Sequence, residues 1–414
     1  MVTRFGFTAV APSFLSSEEQ IAGITDPYMG ALAGLGGRRY AADDLTGEEQ
    51  LFLLVATGGT EEVVLSLVQE RWAVKPGEPV FLISHPANNS LPAALEVLAR
   101  LHQDGAKGRV FYVTGPDDSA GLAKVARAAD DISVLRALHE TRVGLVGDPS
   151  AWLVASMPDA ETVKRAWGPT VVPITMDELT TRLPHASAEA VKADVASLVS
   201  QASACQEPTD SELADVARVH QALRQLVDAY DLDAMTVRCF DLVLNLQTTG
   251  CFGLAELTDA GIIAGCEGDL VTTVGLIWTN LLLGETPWMA NPAQLDEAAN
   301  EMWLAHCTIP RGMVASYRLR SHFESGLGVG IQGDLPLMPV TLLRIGGAEM
   351  DKLWVAEGEI IAVGDAEDLC RTQAKVRLGR GHVSDLLRAP LGNHLVLIPG
   401  SHADRLLGWW ALTR

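Results

Sequence analysis

The sequence is short of cysteine, of basic charge and of long apolar runs, and each shortage closes off a class of function. Six cysteines are spread over 414 residues, at 205, 239, 251, 266, 307 and 370, with no CxxC spacing among them. That argues against a thiolate zinc site and against a disulfide framework, and the apolar surroundings predict reduced, buried thiols. Lys and Arg number 31 against 52 Asp and Glu, a net charge of −21. Nucleic-acid binding rests on neutralising phosphates with basic side chains, so it is not expected here. The longest apolar stretch, Val274 to Leu283, is interrupted by Thr279 and Asn280 and is too short to span a bilayer. Met1 to Pro12 lacks a basic flank followed by an apolar core, so no leader is expected and the cytoplasm is the expected location. A nucleotide loop is missing too. Thr57-Gly58-Gly59-Thr60 has neither the Lys of a P-loop nor GxGxxG spacing. Glu61 and Glu62 follow it at once, which suits a strand-to-helix turn matched to the helix dipole or a polar-substrate contact, not a phosphate.

What is present is a globular composition, 48% apolar and 20% charged, on a chain too long for one ordinary core. Short apolar runs (Gly6 to Ala11, Leu51 to Ala56, Pro79 to Ser84, Arg109 to Thr114) alternate with helical patterns at Thr60 to Glu70 and Leu91 to His102. This predicts a parallel sheet with crossover helices. A second such unit opens at Arg142 to Gly147. It runs through Val171 to Ile174, a long helical region from about Ala186 to Tyr230, a strand over Ala234 to Cys239 and a helix over Glu267 to Leu283. From about Gly326 short strand-like runs lie between Gly-rich turns, an antiparallel, barrel-like texture. The expected fold class is therefore α/β: two Rossmann-like domains, 1–138 and 139–310, followed by a β-rich, barrel-like C-terminal domain, 311–414.

The densest chemistry is Cys266-Glu267-Gly268-Asp269 taken with Gly392-Asn393-His394, 127 residues on from Glu267. Carboxylate plus imidazole suits a hard or borderline divalent cation. At a helix N-terminus, however, Glu267 and Asp269 could be no more than dipole-favoured acids, and a lone buried histidine is commonly structural. His85-Pro86-Ala87-Asn88-Asn89-Ser90 ends a strand. Its His85, Asn88 and Asn89 could hydrogen-bond a polyol, or the loop could cap the next helix through Asn89 or Ser90. His306-Cys307 reads as a buried strand end with a structural role.

Together these segments resemble the L-fucose/L-arabinose isomerase family, in particular its short fucose-isomerase-like branch. The residues that carry the resemblance are Gly250-Cys251, Ala264 to Asp269, Met289-Ala290-Asn291-Pro292, Leu304 to Thr308, Gly333 to Pro336 and Gly392 to Gly400. It is densest over about 235–414. Weaker, collinear matches lie at Thr57 to Thr60, the His85 loop and Gly147 to Ser150. The resemblance implies a metal-dependent aldose–ketose isomerase working through a cis-enediol. It implies a divalent cation, Mn2+ or another such as Mg2+ or Co2+, held by Glu267, Asn291 and His394, with Asn291 standing where the family has Asp. Glu267, Asp269 and Asn291 are then the catalytic candidates, with Asp296 a further candidate to replace the lost carboxylate. His85, Asn88, Asn89 and Asn393 are the substrate-binding candidates. A homo-oligomer, trimer or hexamer, is implied as well. The expected substrate is a hexose or deoxyhexose, fucose-like or sulfoquinovose-like. A sulfonate would need an arginine, for which Arg238, Arg344 and Arg371 are available. The alternative is an inactive sugar-binding or sensor protein of the same fold.

Overall fold

A computed structural model describes residues 4–12, 17–47 and 49–414; Met1, Val2 and Thr3 of the N-terminal stretch lie outside it. The chain divides into two compact units, 1–134 with 407–414, and 135–406.

The first unit holds one sheet of parallel strands: β1 (Phe5–Val10), β2 (Gly37–Arg39), β3 (Leu51–Val55), β4 (Val80–Ser84) and β5 (Gly108–Tyr112), in the order β2-β1-β3-β4-β5. β3 and β4 are buried throughout, as strands covered on both faces must be, which is why they read as unbroken apolar runs. Glu61–Val74 and Ser90–Gln103 are the helices that follow them.

The second unit starts with two more parallel strands, β6 (Arg142–Val146) and β7 (Thr170–Ile174). After the helix Ala188–Gln201 comes the two-residue strand β8 (Ala204–Cys205), then the helix Asp210–Tyr230. The helical region expected from Ala186 to Tyr230 is thus two helices, each with its own N-cap, Ser187 and Thr209. Strands β9 (Ala234–Val237) and β10 (Ile263–Cys266) complete a sheet in the order β10-β9-β6-β7.

Next come β11 (Trp288–Asp296), β12 (Glu301–His306), β13 (Ser316–Arg320), β14 (Gly330–Asp334), β15 (Pro339–Gly346), β16 (Lys352–Val363), β17 (Thr372–Arg380) and β18 (Leu395–Pro399). Six of them close an antiparallel barrel, β11-β12-β17-β16-β15-β18, while β13 pairs with β14 on one side and with β8 on the other. Alternate residues share one buried apolar cluster: Trp288 and Ala290, Met302 and Leu304, Ala374 and Val376, Leu395 and Leu397. A period of two facing one interior is what barrel closure imposes. The barrel takes β11 and β12 from before residue 311, where the sequence texture placed the change of domain. Neither strand shows a regular two-residue alternation, so nothing in them announces a barrel.

One helix fixes the geometry of the site. Leu270–Leu283 is buried along almost its whole length. It meets β9 and β10 on one side and β11, β15 and β18 on the other. Gly275 allows that closeness: a Cβ there would lie 3.2 Å from a Val396 methyl. The turn that starts this helix, Glu267 to Asp269, is thereby held against the barrel.

Candidate metal centre

Asp269, fully buried, is the N-cap of that helix. Its Oδ1 accepts the Thr272 N–H at 2.8 Å, and its Oδ2 accepts the Thr272 hydroxyl at 2.6 Å. Oδ2 also lies 2.9 Å from His394 Nδ1 and 3.3 Å from the Arg344 guanidinium. Arg344 donates further to Thr272, Ser156 and the His394 carbonyl. Burial alone would raise the Asp269 carboxyl; Arg344 and the His394 and Thr272 hydrogen bonds outweigh it and hold the group well below the ordinary carboxylate range. Asp269, expected among the catalytic groups, is therefore a permanent anion with both oxygens taken up by protein groups. It orients His394.

With Nδ1 tied to Asp269, His394 presents Nε2, and this buried atom has no hydrogen-bond partner among the described residues. Nε2 lies 3.7 Å from Glu267 Oε1, an ion-pair distance too long for a hydrogen bond. Burial pushes the imidazole down, but the Asp269 and Glu267 carboxylates prevail and raise it to about 9. A field that draws a proton this strongly also draws a cation.

Glu267 occupies the left-handed region, φ 62°, a conformation that costs a non-glycine residue about 1–3 kcal/mol and is found mainly where function demands it. Gly268 follows at φ 72°, and a Cβ there would stand 2.7 Å from Pro149 Cα. Ser150 N–H donates to the Glu267 carbonyl at 2.8 Å. The Trp152 indole N–H donates to Glu267 Oε2 at 2.5 Å. Burial opposes ionisation of Glu267, yet His394 and Trp152 keep its carboxyl below the ordinary value.

The third member is His306. Ligand atoms of Glu267, His306 and His394 all lie within 4.8 Å of one another, and all three residues are buried. Nδ1 of His306 is 2.8 Å from Thr308 Oγ1, so Nε2 is the nitrogen left for the cluster. Burial and the neighbouring His394 charge lower His306 to about 4, which keeps it neutral and able to ligate. His306, expected to be structural, thus stands where it could also serve as a ligand. β12 and β18 flank β11 in the barrel, so the two histidines reach the site from either side of the strand that carries Asn291.

Asn291 pairs with Ala305 across one ladder, and the other ladder, continued by one residue past Ala290–Leu395, sets it opposite His394. Its Oδ1 is buried without a hydrogen-bond partner among the described residues. Two buried polar atoms, His394 Nε2 and Asn291 Oδ1, thus lack the hydrogen-bond partners that burial demands. With the Glu267 carboxylate and His306 Nε2, they fit a divalent cation of the Mn2+ or Mg2+ kind.

The other candidates have their own surroundings. Asp296 closes the far end of β11, five residues past Asn291, where its Oδ1 accepts the Ala298 and Ala299 amides. Asn393 is exposed beside His394. His85 belongs to the first unit and is buried. Its Nε2 lies 3.0 Å from the Ala56 carbonyl, its Nδ1 accepts the Ala87 N–H at 3.3 Å, and its ring stacks on Tyr28. Asn88 and Asn89, both with positive φ, are exposed. All six cysteines are free, and Cys239, Cys251, Cys266 and Cys307 are buried.

No protein-family profile matches the chain. It is similar to proteins named sulfoquinovose isomerase from Priestia aryabhattai and Priestia megaterium, each 22% identical over 313 residues, covering 72% of this chain and 68% of the relative. A third of that name, from Alkalicoccus urumqiensis, is 22% identical over 263 residues, 61% of this chain and 58% of its own. Among the described residues no helix is long and apolar enough to cross a membrane.

Proposed function

We propose that this chain is a metal-dependent aldose–ketose isomerase acting on sulfoquinovose or a closely related hexose. The observation that carries the reading is the convergence of Glu267, His306 and the partnerless Nε2 of His394 in one buried cluster. The likeness to three isomerases supports the same chemistry.

Glu267, His306 and His394 would hold the cation, with Asn291 Oδ1 as a fourth ligand. When bound, the cation supplies Lewis-acid polarisation of the sugar's carbonyl and neighbouring hydroxyl. Glu267 is ionised at neutral pH and is the base that takes the C2 proton of the open-chain aldose and returns it at C1, through a cis-enediol. Asp269 and Arg344 hold His394 and take no proton. This frees the chemistry from the aspartate that the resembled family has at the Asn291 position, since an amide oxygen can ligate but cannot act as a base.

A sulfonate calls for a cation at the sugar's far end. Arg344, 1% exposed, is committed to Asp269, and Arg371 is buried against Glu367 and the Ser321 carbonyl. Arg238, directly after β9, is one-third exposed and pairs with Asp241 at 3.2 Å. It is the one of the three able to exchange its partner for a substrate anion. Asn88 and Asn89 remain the first unit's candidates for sugar hydroxyls, and assembly into a trimer or hexamer belongs to this proposal, to be read by light scattering. The inactive-sensor reading draws no support from relatives that are enzymes by name.

The test is elemental analysis of the purified protein, paired with conversion of sulfoquinovose, fucose and a panel of aldoses with and without manganese. Metal-dependent conversion that is lost in Glu267→Gln is expected. Conversion undiminished by exhaustive chelation, or retained by Glu267→Gln, would sink the assignment.

A further inference from the structure

Trp152 is an oddity of the second unit. It is a large aromatic residue 52% exposed, yet its one polar atom is engaged with the buried carboxylate at the heart of the site. Three separate features set it there. The segment after β6 is fastened to the Glu267–Gly268 turn by the Ser150 to Glu267 backbone bond and by the contact that only a glycine at 268 permits. The Arg344 guanidinium that supports Asp269 also ties down Ser156, four residues past Trp152. The indole itself leans edge-on against Phe240, with ring centres 5.0 Å apart and planes at 84°.

The result is a division of labour between the two oxygens of Glu267. Oε2 accepts the indole N–H, while Oε1 faces His394 Nε2. An indole N–H can only donate, and a charge-assisted bond from it fixes the carboxylate's rotation. A glutamate has three side-chain torsions and would otherwise sample several. About half of the Trp152 surface is left exposed beside this bond. Sugar sites combine such an aromatic wall with a few convergent polar groups.

We propose that Trp152 is a positioning residue that aims Glu267 through its indole N–H, and that its exposed surface forms the wall against which the sugar packs. The proposal rests on the reading of this site as a sugar-isomerase centre. A serine or glutamine would supply the donor but not the wall; a phenylalanine supplies the wall but not the donor. The two roles therefore separate by substitution.

The experiment uses the full-length protein and its Trp152→Phe and Trp152→Ala variants. Manganese affinity is measured by calorimetry on the resting protein, and kcat and KM by sulfoquinovose conversion. Both variants are expected to bind manganese about 10–100-fold more weakly, the usual cost of removing a partner that orients a ligand. Trp152→Phe keeps KM, whereas Trp152→Ala raises it about tenfold or more, an apolar contact of about 1.4 kcal/mol. Wild-type manganese affinity in Trp152→Phe overturns the positioning role. Equal KM values in the two variants, or a change of oligomeric size in Trp152→Ala, overturns the wall. A second readout needs neither metal nor turnover: Glu267→Gln is expected to shift the tryptophan emission of the wild type and leave that of Trp152→Phe unchanged. If the wild type binds no manganese and converts no sugar, the functional reading fails while the emission shift still decides the contact. An identical emission shift in both backgrounds overturns it.

Discussion

His85 and His394 are both buried imidazoles next to buried strands, and the fate of their second nitrogen separates them. At His85, Nε2 goes to the Ala56 carbonyl at the end of β3 and Nδ1 to the Ala87 amide of its own loop, so both ring nitrogens are engaged. At His394, Asp269 takes Nδ1 and none of the described residues hydrogen-bonds Nε2. A buried polar atom without a partner costs about 1–3 kcal/mol. One maintained beside a carboxylate and a second imidazole is what the proposed cation site requires. A histidine's burial therefore says little; a ring nitrogen left without a partner says a great deal.

The largest break in this contrast comes at His306. His306→Ala removes an imidazole from the cluster but leaves Asp269, Arg344 and Glu267 in place. Manganese content is expected to fall below detection by elemental analysis, and conversion with it, by more than the ~10–100-fold that an outer partner costs. Full metal content in that variant would return His306 to the role of a strand end. Asp269→Asn comes next. It frees His394 to turn and removes an anion beside it, with an expected loss of about 10–100-fold in manganese affinity. An unchanged calorimetric titration would show that Arg344 and the strand alone hold His394.

His85→Ala sharpens the contrast from the other side. It strands the Ala56 carbonyl and opens space beside Tyr28, so thermal stability is expected to drop by about 1–3 kcal/mol. Manganese affinity and the KM for sugar stay at their wild-type values. A raised KM without loss of stability would restore the sugar contact expected of His85.

Much of this was legible in the residues. The βα alternation of both sheets, the late turn to an antiparallel texture and the pairing of Glu267 with His394 all follow from local patterns and an ordered resemblance. An isomerase is borne out by the named relatives. His306 was not legible, because its approach to His394 is made by barrel closure: β11 sits between their strands, and no spacing along the chain encodes that. The role of Asp269 was hidden for a related reason. A helix-capping carboxylate and a carboxylate holding a ligand histidine look the same in sequence, and here one residue is both. Arg344 was read as available for a sulfonate, and its commitment to Asp269 had a usable signal, an arginine in the largely apolar run Val340 to Ile345. A charge within a strand of that kind needs a buried partner.

The smallest effect bears on whether a carboxylate–imidazole pair by itself makes a metal site. The second unit contains another such pair: Asp194 Oδ2 lies 2.8 Å from Nδ1 of the buried His220 and also accepts from Gln221 at 2.7 Å. Beyond that bond His220 meets the edge of Phe252. Among the described residues only Glu267, His306 and His394 form a group fit for a metal. Burial would raise the Asp194 carboxyl, but the His220 and Gln221 hydrogen bonds prevail and lower it. A carboxyl lowered on folding stabilises the protein above its unfolded value, about 3.9, and loses that contribution as pH falls through the folded value. Asp194→Asn is therefore expected to melt below the wild type at pH 5 to 7, with the gap closing as pH falls toward 3, and to keep its full manganese content. The same substitution at Asp269 costs metal. If Asp194→Asn lost metal as well, the pairing of an acid with an imidazole would be the common cause; if only Asp269→Asn does, the cause is the grouping of Glu267 and His306 with His394.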